Sequence, residues 1–555
     1  MRDVRIHDTV HGYIVLPWKY VAYILDTFEF QRLRRIEQTA IRSVYPTARH
    51  DRFVHSLGVF HIGNMILQHF LSERNIPESA NQVYSHLKND VTLQESYRLA
   101  CLLHDVGHAP FSHSFESYYG GKNKEELAKT LSDSIANYAN ETAKDRFIAD
   151  HLKLKKEGKT PAYHEYTSAI VSLSRYGNVI RHELSADAEL IARMITGCKY
   201  HEREGSPLTE EEVQLRNIFI ELLHSDFVDA DRLDYACRDI WASGYSTSSV
   251  DVYRLIESMH IRKDKSGNTI LCYDYKALNE IESVLEVRSF QNSYVINHHT
   301  IVYDQYILQK AAEKMAVDFF KDKMTDFDNS PLTEEGVATK SLAKIININS
   351  LLPDGGKISA NDGVEYSVAN IADEDLLFLM KQSKENSYYQ EWAGRQYNYF
   401  PLWKSPDEFH ALFPITRQTI INDKPFIIPL PTKEQFESLI KKSLNEDGEE
   451  PLDIIVVETK FKAKVKLSQL QLLVNDNVMS FGDLYPFRSY RESVSPDYKD
   501  EIFYYVYCKG DNTKQNHEER EAIRKKIIAR LQDPNREFLS TISKTFPNKD
   551  QTPAK

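Results

Sequence analysis

Leu99-Ala-Cys-Leu-Leu-His-Asp-Val-Gly-His-Ala-Pro-Phe-Ser-His113 decides how this 555-residue chain is read. Leu99, Leu102, Leu103 and Val106 recur at helical spacing, and the apolar run ends in a His-Asp pair, a glycine and two further histidines. Neutral imidazoles and carboxylates are ligands for Mn, Fe, Zn or Mg. Neighbours on a helix point about 100° apart, so His104 and Asp105 share one cation only if other ligands come from elsewhere. Two segments offer them: Arg52-Phe-Val-His55-Ser, and Asp229-Ala-Asp231-Arg232-Leu-Asp234-Tyr235-Ala-Cys-Arg238-Asp239. On a helix, Asp231, Arg232, Tyr235 and Asp239 fall at about 0°, 100°, 40° and 80°, all on one face. A carboxylate, a cation, a phenol and a second carboxylate so placed suit a metal, a phosphate and a sugar. The plainer alternative is a solvated face carrying an Asp234–Arg238 ion pair.

The helical period spreads outward from this core, through Phe30, Leu33 and Ile36, through Val54, Leu57, Val59 and Ile62, and through Ile218, Leu222 and Phe227. Residues 17–320 are therefore expected to be mostly helical, flanked by short strands at 13–16 and 269–272. Residues 120–160 are Lys/Glu-rich and read as an inserted pair of exposed helices. Asp328-Asn-Ser-Pro and Pro353-Asp-Gly-Gly mark a linker within 325–370. In the tail, 453–459 and 461–467 read as paired strands, 502–508 as another strand and 518–531 as a helix. The fold class is mainly α, a helical core with a smaller C-terminal α+β domain. The expected domains are 1–325, a helical lobe at 326–440, and 441–555.

The 69 Lys and Arg stand against 81 Asp and Glu, a net charge of −12, which argues against a nucleic-acid binder held by a basic surface. Eighteen of the 20 histidines precede residue 300, so histidine chemistry belongs to the first half. No signal-peptide h-region and no run of 18 apolar residues occurs, so neither secretion nor a membrane span is expected. The five cysteines are scattered without a CxxC pair and read as free thiols of a cytoplasmic protein.

The order His55…His104-Asp105…Asp231 resembles the HD superfamily of metal-dependent phosphohydrolases. Ile6-His-Asp-Thr-Val-His-Gly-Tyr-Ile, Asp26-Thr-Phe-Glu-Phe-Gln-Arg-Leu-Arg, Arg52-Phe-Val-His-Ser-Leu-Gly-Val and His104-Asp-Val-Gly-His-Ala-Pro-Phe-Ser-His resemble its deoxynucleoside triphosphate triphosphohydrolases. That family includes the animal sterile-alpha-motif/HD-domain enzyme. The resemblance is strong over 4–120 and 160–300, weaker to about 420 and faint in the tail; a sterile-alpha-motif domain is not expected, since the chain starts where the catalytic core does.

The resemblance implies water attack on the α-phosphorus of a dNTP, releasing deoxynucleoside and inorganic triphosphate. It implies a divalent metal on His55, His104, Asp105 and Asp231, and His164 as the acid on the leaving 5′ oxygen, supported by His108, His113 and Glu116. It implies phosphate contacts at Arg52, Arg232 and Arg288, and deoxyribose contacts at Gln38, Tyr235 and Asp239. A Tyr ring against C2′ leaves no room for a ribose hydroxyl. It further implies a homotetramer with a GTP, dGTP or other dNTP effector on Asp26, Gln31, Arg34 and Arg254, and a role in depleting dNTPs against phage. Asp26-x-x-Glu29 has a competing explanation as a helix capping box. The chain departs from the animal pattern at His7, at Thr39 and Ala40-Ile-Arg-Ser, at Ile296-Asn297 and in the longer span from His113 to His164, which bears on base and effector choice. Two alternatives stay open: another HD phosphohydrolase (a nucleotidase or signalling-nucleotide phosphodiesterase), and a non-catalytic nucleotide sensor.

Overall fold

A computed structural model describes residues 2–541 apart from 120–123, 202–206, 246–249, 322–332, 353–354, 414–417, 422–423, 428–430, 446–451, 496–499, 511–516, 534–535, 537 and 539–540. Asp328–Pro331 and the Pro353-Asp354 pair of the expected linker lie outside the described residues. The protein is mainly α, with a few small sheets. The chain divides into two compact units: Met1–Val287 with Ala311–Asn386 and Leu470–Ser480, and Arg288–Lys310 with Ser387–Gln469 and Phe481–Lys555.

The first unit is built on helices whose ends are written in side chains. Asp51 caps the helix Arg52–Ser72 by accepting from the Val54 N–H at 3.0 Å, and Asp90 caps Val91–Leu103 through the Leu93 N–H at 2.9 Å. Asp229 caps Ala230–Ser243, which ends on Gly244 at φ +76°. Each helix buries an apolar stripe; Phe53, Leu57, Phe60, Ile62, Ile66 and Phe70 line one and Leu99, Leu102 and Leu103 another. Two glycines permit close approach. A Cβ on Gly58 would lie 1.8 Å from Asp234 Oδ1, and one on Gly107 would lie 2.3 Å from the backbone N of Ser168. The helices Ala230–Ser243 and Tyr163–His182 are thereby drawn against the segment that carries His55, His104 and His108.

The strands expected at 13–16 and 269–272 are Gly12–Leu16, paired with Val4–Asp8, and Thr269–Asp274, paired with Met259–Lys263. Gln471–Val474 joins Thr269–Asp274 in parallel, so a piece of chain from far downstream completes the first unit's four-stranded sheet. The 120–160 insertion forms Lys124–Tyr138 and Glu141–Lys156. These helices are not simply exposed: Leu127, Leu131, Ile135, Phe147 and Asp150 are buried. Arg193 sits 3.0 Å from Asp150 and 2.8 Å from Glu189, a fully buried ion pair that ties the insertion to the helix Ala188–Thr196.

The second unit's sheet runs Ile454–Phe461, Glu501–Lys509, Tyr399–Pro401. Here the expected pairing of 453–459 with 461–467 is corrected. Only Lys460 separates those stretches, too little for a hairpin turn, so Ile454–Phe461 continues as one strand and pairs antiparallel with Glu501–Lys509. The following N–H groups of Lys462 and Ala463 go to Asn292 Oδ1 and Asp500 Oδ1 instead. Trp403, Phe409, Phe436, Tyr505 and Tyr507 make this unit's core, with the helices Lys433–Asn445 and His517–Leu531 beside the sheet.

Candidate metal centre

His55 lies one turn into its helix, His104 and Asp105 follow directly on the end of Val91–Leu103, and Asp231 sits in the first turn of Ala230–Ser243. His55, His104 and Asp105 each offer a ligand atom within 4.8 Å of the others. His55 Nε2 is 3.3 Å from His104 Nε2, 3.5 Å from Asp105 Oδ2 and 3.0 Å from Asp231 Oδ1; His104 Nε2 is 3.5 Å from Asp105 Oδ1 and 3.7 Å from Asp231 Oδ1. Ligands about 2.1 Å from one cation stand roughly 3.0 Å apart at right angles and roughly 3.4 Å apart in a tetrahedron, so these spacings fit a shared ion. Only Asp231 is well exposed, its side chain at 39 %, against 1 to 9 % for the other three.

The rings are oriented for this. His104 Nδ1 donates to the Cys101 carbonyl at 3.0 Å, and His55 Nδ1 donates to Asp234 Oδ2 at 2.7 Å. Each ring, when neutral, would therefore direct its Nε2 lone pair at the shared point. Asp234 is itself held by Arg238 through two 2.9 Å bonds and by His11 Nε2 at 2.6 Å, and Arg238 reaches on to Asp8. The pair Asp234–Arg238, read from sequence as a candidate for a solvated face, is thus fully buried and aims a ligand. Burial works against a charge on His55, yet Asp231 and Asp234 raise its pKa to about 10. That draw on positive charge is what a divalent cation answers.

A second group adjoins the first. His108 Nε2 lies 3.4 Å from Asp105 Oδ1, and its ring stacks on His164 at 4.3 Å. Nδ1 atoms of His113, His164 and His108 approach Glu116 Oε1 at 2.7, 2.9 and 3.3 Å. Yet His108 Nδ1 and Nε2, His164 Nδ1 and Glu116 Oε1 are buried without an aligned hydrogen-bond partner. Burial pushes His164 down, but the Glu116 charge more than offsets it and raises the imidazole to about 9. Glu116 is held well below the carboxylate range against its burial, by His164 and His113; His108 is driven well below 6.5 by burial and by the nearby cations Arg52 and His164.

The arginines are occupied from within. Arg52 donates to Ser112 Oγ at 3.0 Å, to Asp105 Oδ2 at 2.6 Å and to the Gln38 carbonyl at 3.2 Å. Arg232 donates to the carbonyls of Phe227 and Ser225 and to Tyr235 OH. Gln38 is buried with Oε1 unpartnered, and its N–H donates to the His50 carbonyl. His50 Nε2 lies 2.7 Å from Asp239 Oδ1, so one histidine unmarked in the sequence joins two of the expected sugar contacts. Arg288 belongs to the second compact unit.

The expected capping box at Asp26 is not formed. The N-cap of Phe28–Gln31 is Thr27, whose hydroxyl goes to Ile24 O and Tyr176, and Glu29 is buried beside Arg175. Asp26 is exposed. Gln31 and Arg34 do share a face, joined at 2.8 Å, while Arg254 pairs with Glu280 at 3.1 Å.

Residues 52–184 match the family model of the HD domain. The chain carries an HD domain. HD domains are metal-dependent phosphohydrolase domains with a divalent cation as cofactor, and the His55–His104–Asp105 geometry agrees. The chain is similar to a deoxynucleoside triphosphate triphosphohydrolase SAMHD1 homolog of Dictyostelium discoideum, 29% identical over 320 residues, 57% of this chain and 49% of that protein. It is 28% identical over 291 residues, 52% of this chain and 55% of that one, to the uncharacterized MG461 homolog of Mycoplasma pneumoniae. It is 39% identical over 114 residues to deoxynucleoside triphosphate triphosphohydrolase SAMHD1 of Xenopus laevis, 20% of this chain and 16% of that one. The chain spans about half the length of the first curated relatives it matches. A crystal structure of a hypothetical protein from Aquifex aeolicus shares the fold, with a TM-score of 0.51 at 18% identity over 95% of this chain and 100% of that one. No helix among the described residues is long and apolar enough to cross a membrane, and no disulfide joins the five cysteines.

Proposed function

We propose that this chain hydrolyses a dNTP to deoxynucleoside and inorganic triphosphate. The observation that carries the reading is the placement, on successive turns of Ala230–Ser243, of Asp231 beside the two histidines and of Tyr235 and Asp239 beyond it, with the His164–Glu116 pair next to Asp105 through His108. His55, His104, Asp105 and Asp231 would hold a divalent cation, which would supply hydroxide near neutral pH and neutralise charge on the attacked phosphate. The chain's own residues do the rest. The 5′-alkoxide is a poor leaving group, and His164, kept protonated by Glu116, is placed to give it a proton. Neutral His108 and exposed His113 offer polar nitrogens to the phosphates. Arg52 and Arg232 fix Asp105 and the Phe227 turn, and a guanidinium's five donors exceed the three that each bonds here. Tyr235 and Asp239, with Gln38, receive the deoxyribose.

The relatives named deoxynucleoside triphosphate triphosphohydrolases support the substrate class. The exposed Asp26 and the Gln31–Arg34 face support an effector site for GTP, dGTP or another dNTP, and 80% exposed Phe28 beside them supports burial in a homotetramer. A cytoplasmic enzyme of this kind would serve to deplete dNTPs, as in defence against phage. The test is a matrix of four dNTPs against added NTP and dNTP effectors, with Mn²⁺ or Mg²⁺, products resolved by chromatography and assembly followed by light scattering. Triphosphate and deoxynucleoside are the expected products; diphosphate, orthophosphate or cleavage of cyclic or dinucleotide substrates instead would overturn the reading.

A further inference from the structure

The loop that carries His108, Ser112 and His113 is strained. Phe111 and Ser112 stand at φ +53° and +52°, two consecutive non-glycine residues in the left-handed region. Such conformations are strained for a residue with a Cβ and persist only where the surroundings over-determine them. What over-determines them comes from far along the chain. Asp373, in the first turn of the helix Asp373–Gln382, is 4% exposed and accepts two backbone N–H bonds, from Phe111 at 2.6 Å and from Glu37 at 3.0 Å. Two residues earlier, the Ile371 carbonyl accepts from fully buried Arg32, whose other arm donates to the carbonyls of Val106 and His108. Glu37 O in turn receives the Ser112 hydroxyl, which also accepts from Arg52, the arginine on Asp105.

We propose that residues 371–373 latch the His108–His113 loop in its working shape, with Asp373 as a positioning residue for the hydrolysis. Its two carboxylate oxygens go to the Phe111 and Glu37 amides, and it acts through them. Burial raises its carboxyl to about 7, against the two backbone bonds that lower it, and Glu37, Arg42 and Arg32 are charged groups near it. An apolar residue in its place would leave the Phe111 and Glu37 amides without this acceptor, which is costly for buried donors. The His164 and Glu116 pair depends on the same loop, because Glu116 follows its last residue, His113, by three positions.

The inference rests on the proposed hydrolysis for its kinetic arm only. Asp373→Asn keeps size and one acceptor oxygen. It is expected to lower kcat for triphosphate release about 10²-fold, with KM within about threefold and bound Mn²⁺ unchanged. Hydrogen exchange in full-length protein is expected to rise at residues 106–119 and 36–39 and nowhere else. Arg32→Lys, which loses the planar fork, is expected to give the same pattern, and the double variant to lose no more than the worse single one. Unchanged kcat, a loss shared by metal content, or additive losses would overturn the latch. If the wild-type protein releases triphosphate from no dNTP, the proposed function fails by itself; unchanged exchange at 106–119 in Asp373→Asn, or in Arg32→Lys should the first variant not fold, would then overturn the latch separately.

Discussion

The two histidine–carboxylate groups use the same residue types and are opposite in wiring. Around His55 and His104, each Nδ1 is spent on a fixed acceptor, Asp234 or the Cys101 carbonyl, and each Nε2 is left to converge on one point. Around Glu116, three Nδ1 atoms crowd one carboxylate oxygen without an aligned bond, and buried polar atoms stay unsatisfied. Both groups bring their ligand atoms within 4.8 Å of one another; we read the first as the cation's ligand set and the second as the proposed acid. Which ring nitrogen is committed, more than residue composition, separates a ligand set from an acid.

That contrast breaks most visibly at the ligands. His104→Ala or Asp105→Ala is expected to abolish bound metal and to lower hydrolysis by about 10³-fold or more, checked by elemental analysis and product release. Retained metal with full activity would erase the distinction. His164→Gln is expected to lower kcat by about 10²–10⁴-fold while metal content stays at the wild-type level. The sign of its pH dependence follows from the raised pKa: the acid is protonated below about 9, so wild-type kcat falls as pH rises through that value and the variant loses this alkaline limb.

Smaller effects probe the supports. Asp234→Asn leaves all four ligands in place but unsettles the His55 tautomer, and is expected to weaken metal affinity or activity about 10–100-fold, read by metal titration. Gly58→Ala puts a methyl group onto Asp234 and is expected to cost roughly 1–3 kcal/mol of stability, seen as a lowered Tm. A neutral outcome there would mean that the helix Ala230–Ser243 is not pinned at this contact.

The contrast also shows what a sequence can carry. The helices were legible because Leu99, Leu102 and Leu103 repeat with the helical period; their caps at Asp51, Asp90 and Asp229 came from the structure. The ligand types were legible in His104-Asp105, and the one-face reading of Asp231 and Tyr235 needed only the helix geometry. Asp234 was legible as a charge but not as a buried one, since whether an i,i+4 ion pair faces water depends on Gly58 of another helix. His50 and Asp373 had no local signature at all. Their partners, Asp239, Phe111 and Glu37, lie 189, 262 and 336 residues away, and only the folded chain brings them together. The Asp26 box failed for a related reason: Thr27 takes the cap position and Glu29 turns inward to Arg175.

The position at which water enters separates attack on the α-phosphorus from every other cleavage. Turnover of a dNTP in ¹⁸O-water, with Mn²⁺ and the products separated for mass spectrometry, is predicted to place one labelled oxygen in the triphosphate and none in the deoxynucleoside. Label in orthophosphate or diphosphate, or in the released deoxynucleoside, would contradict it.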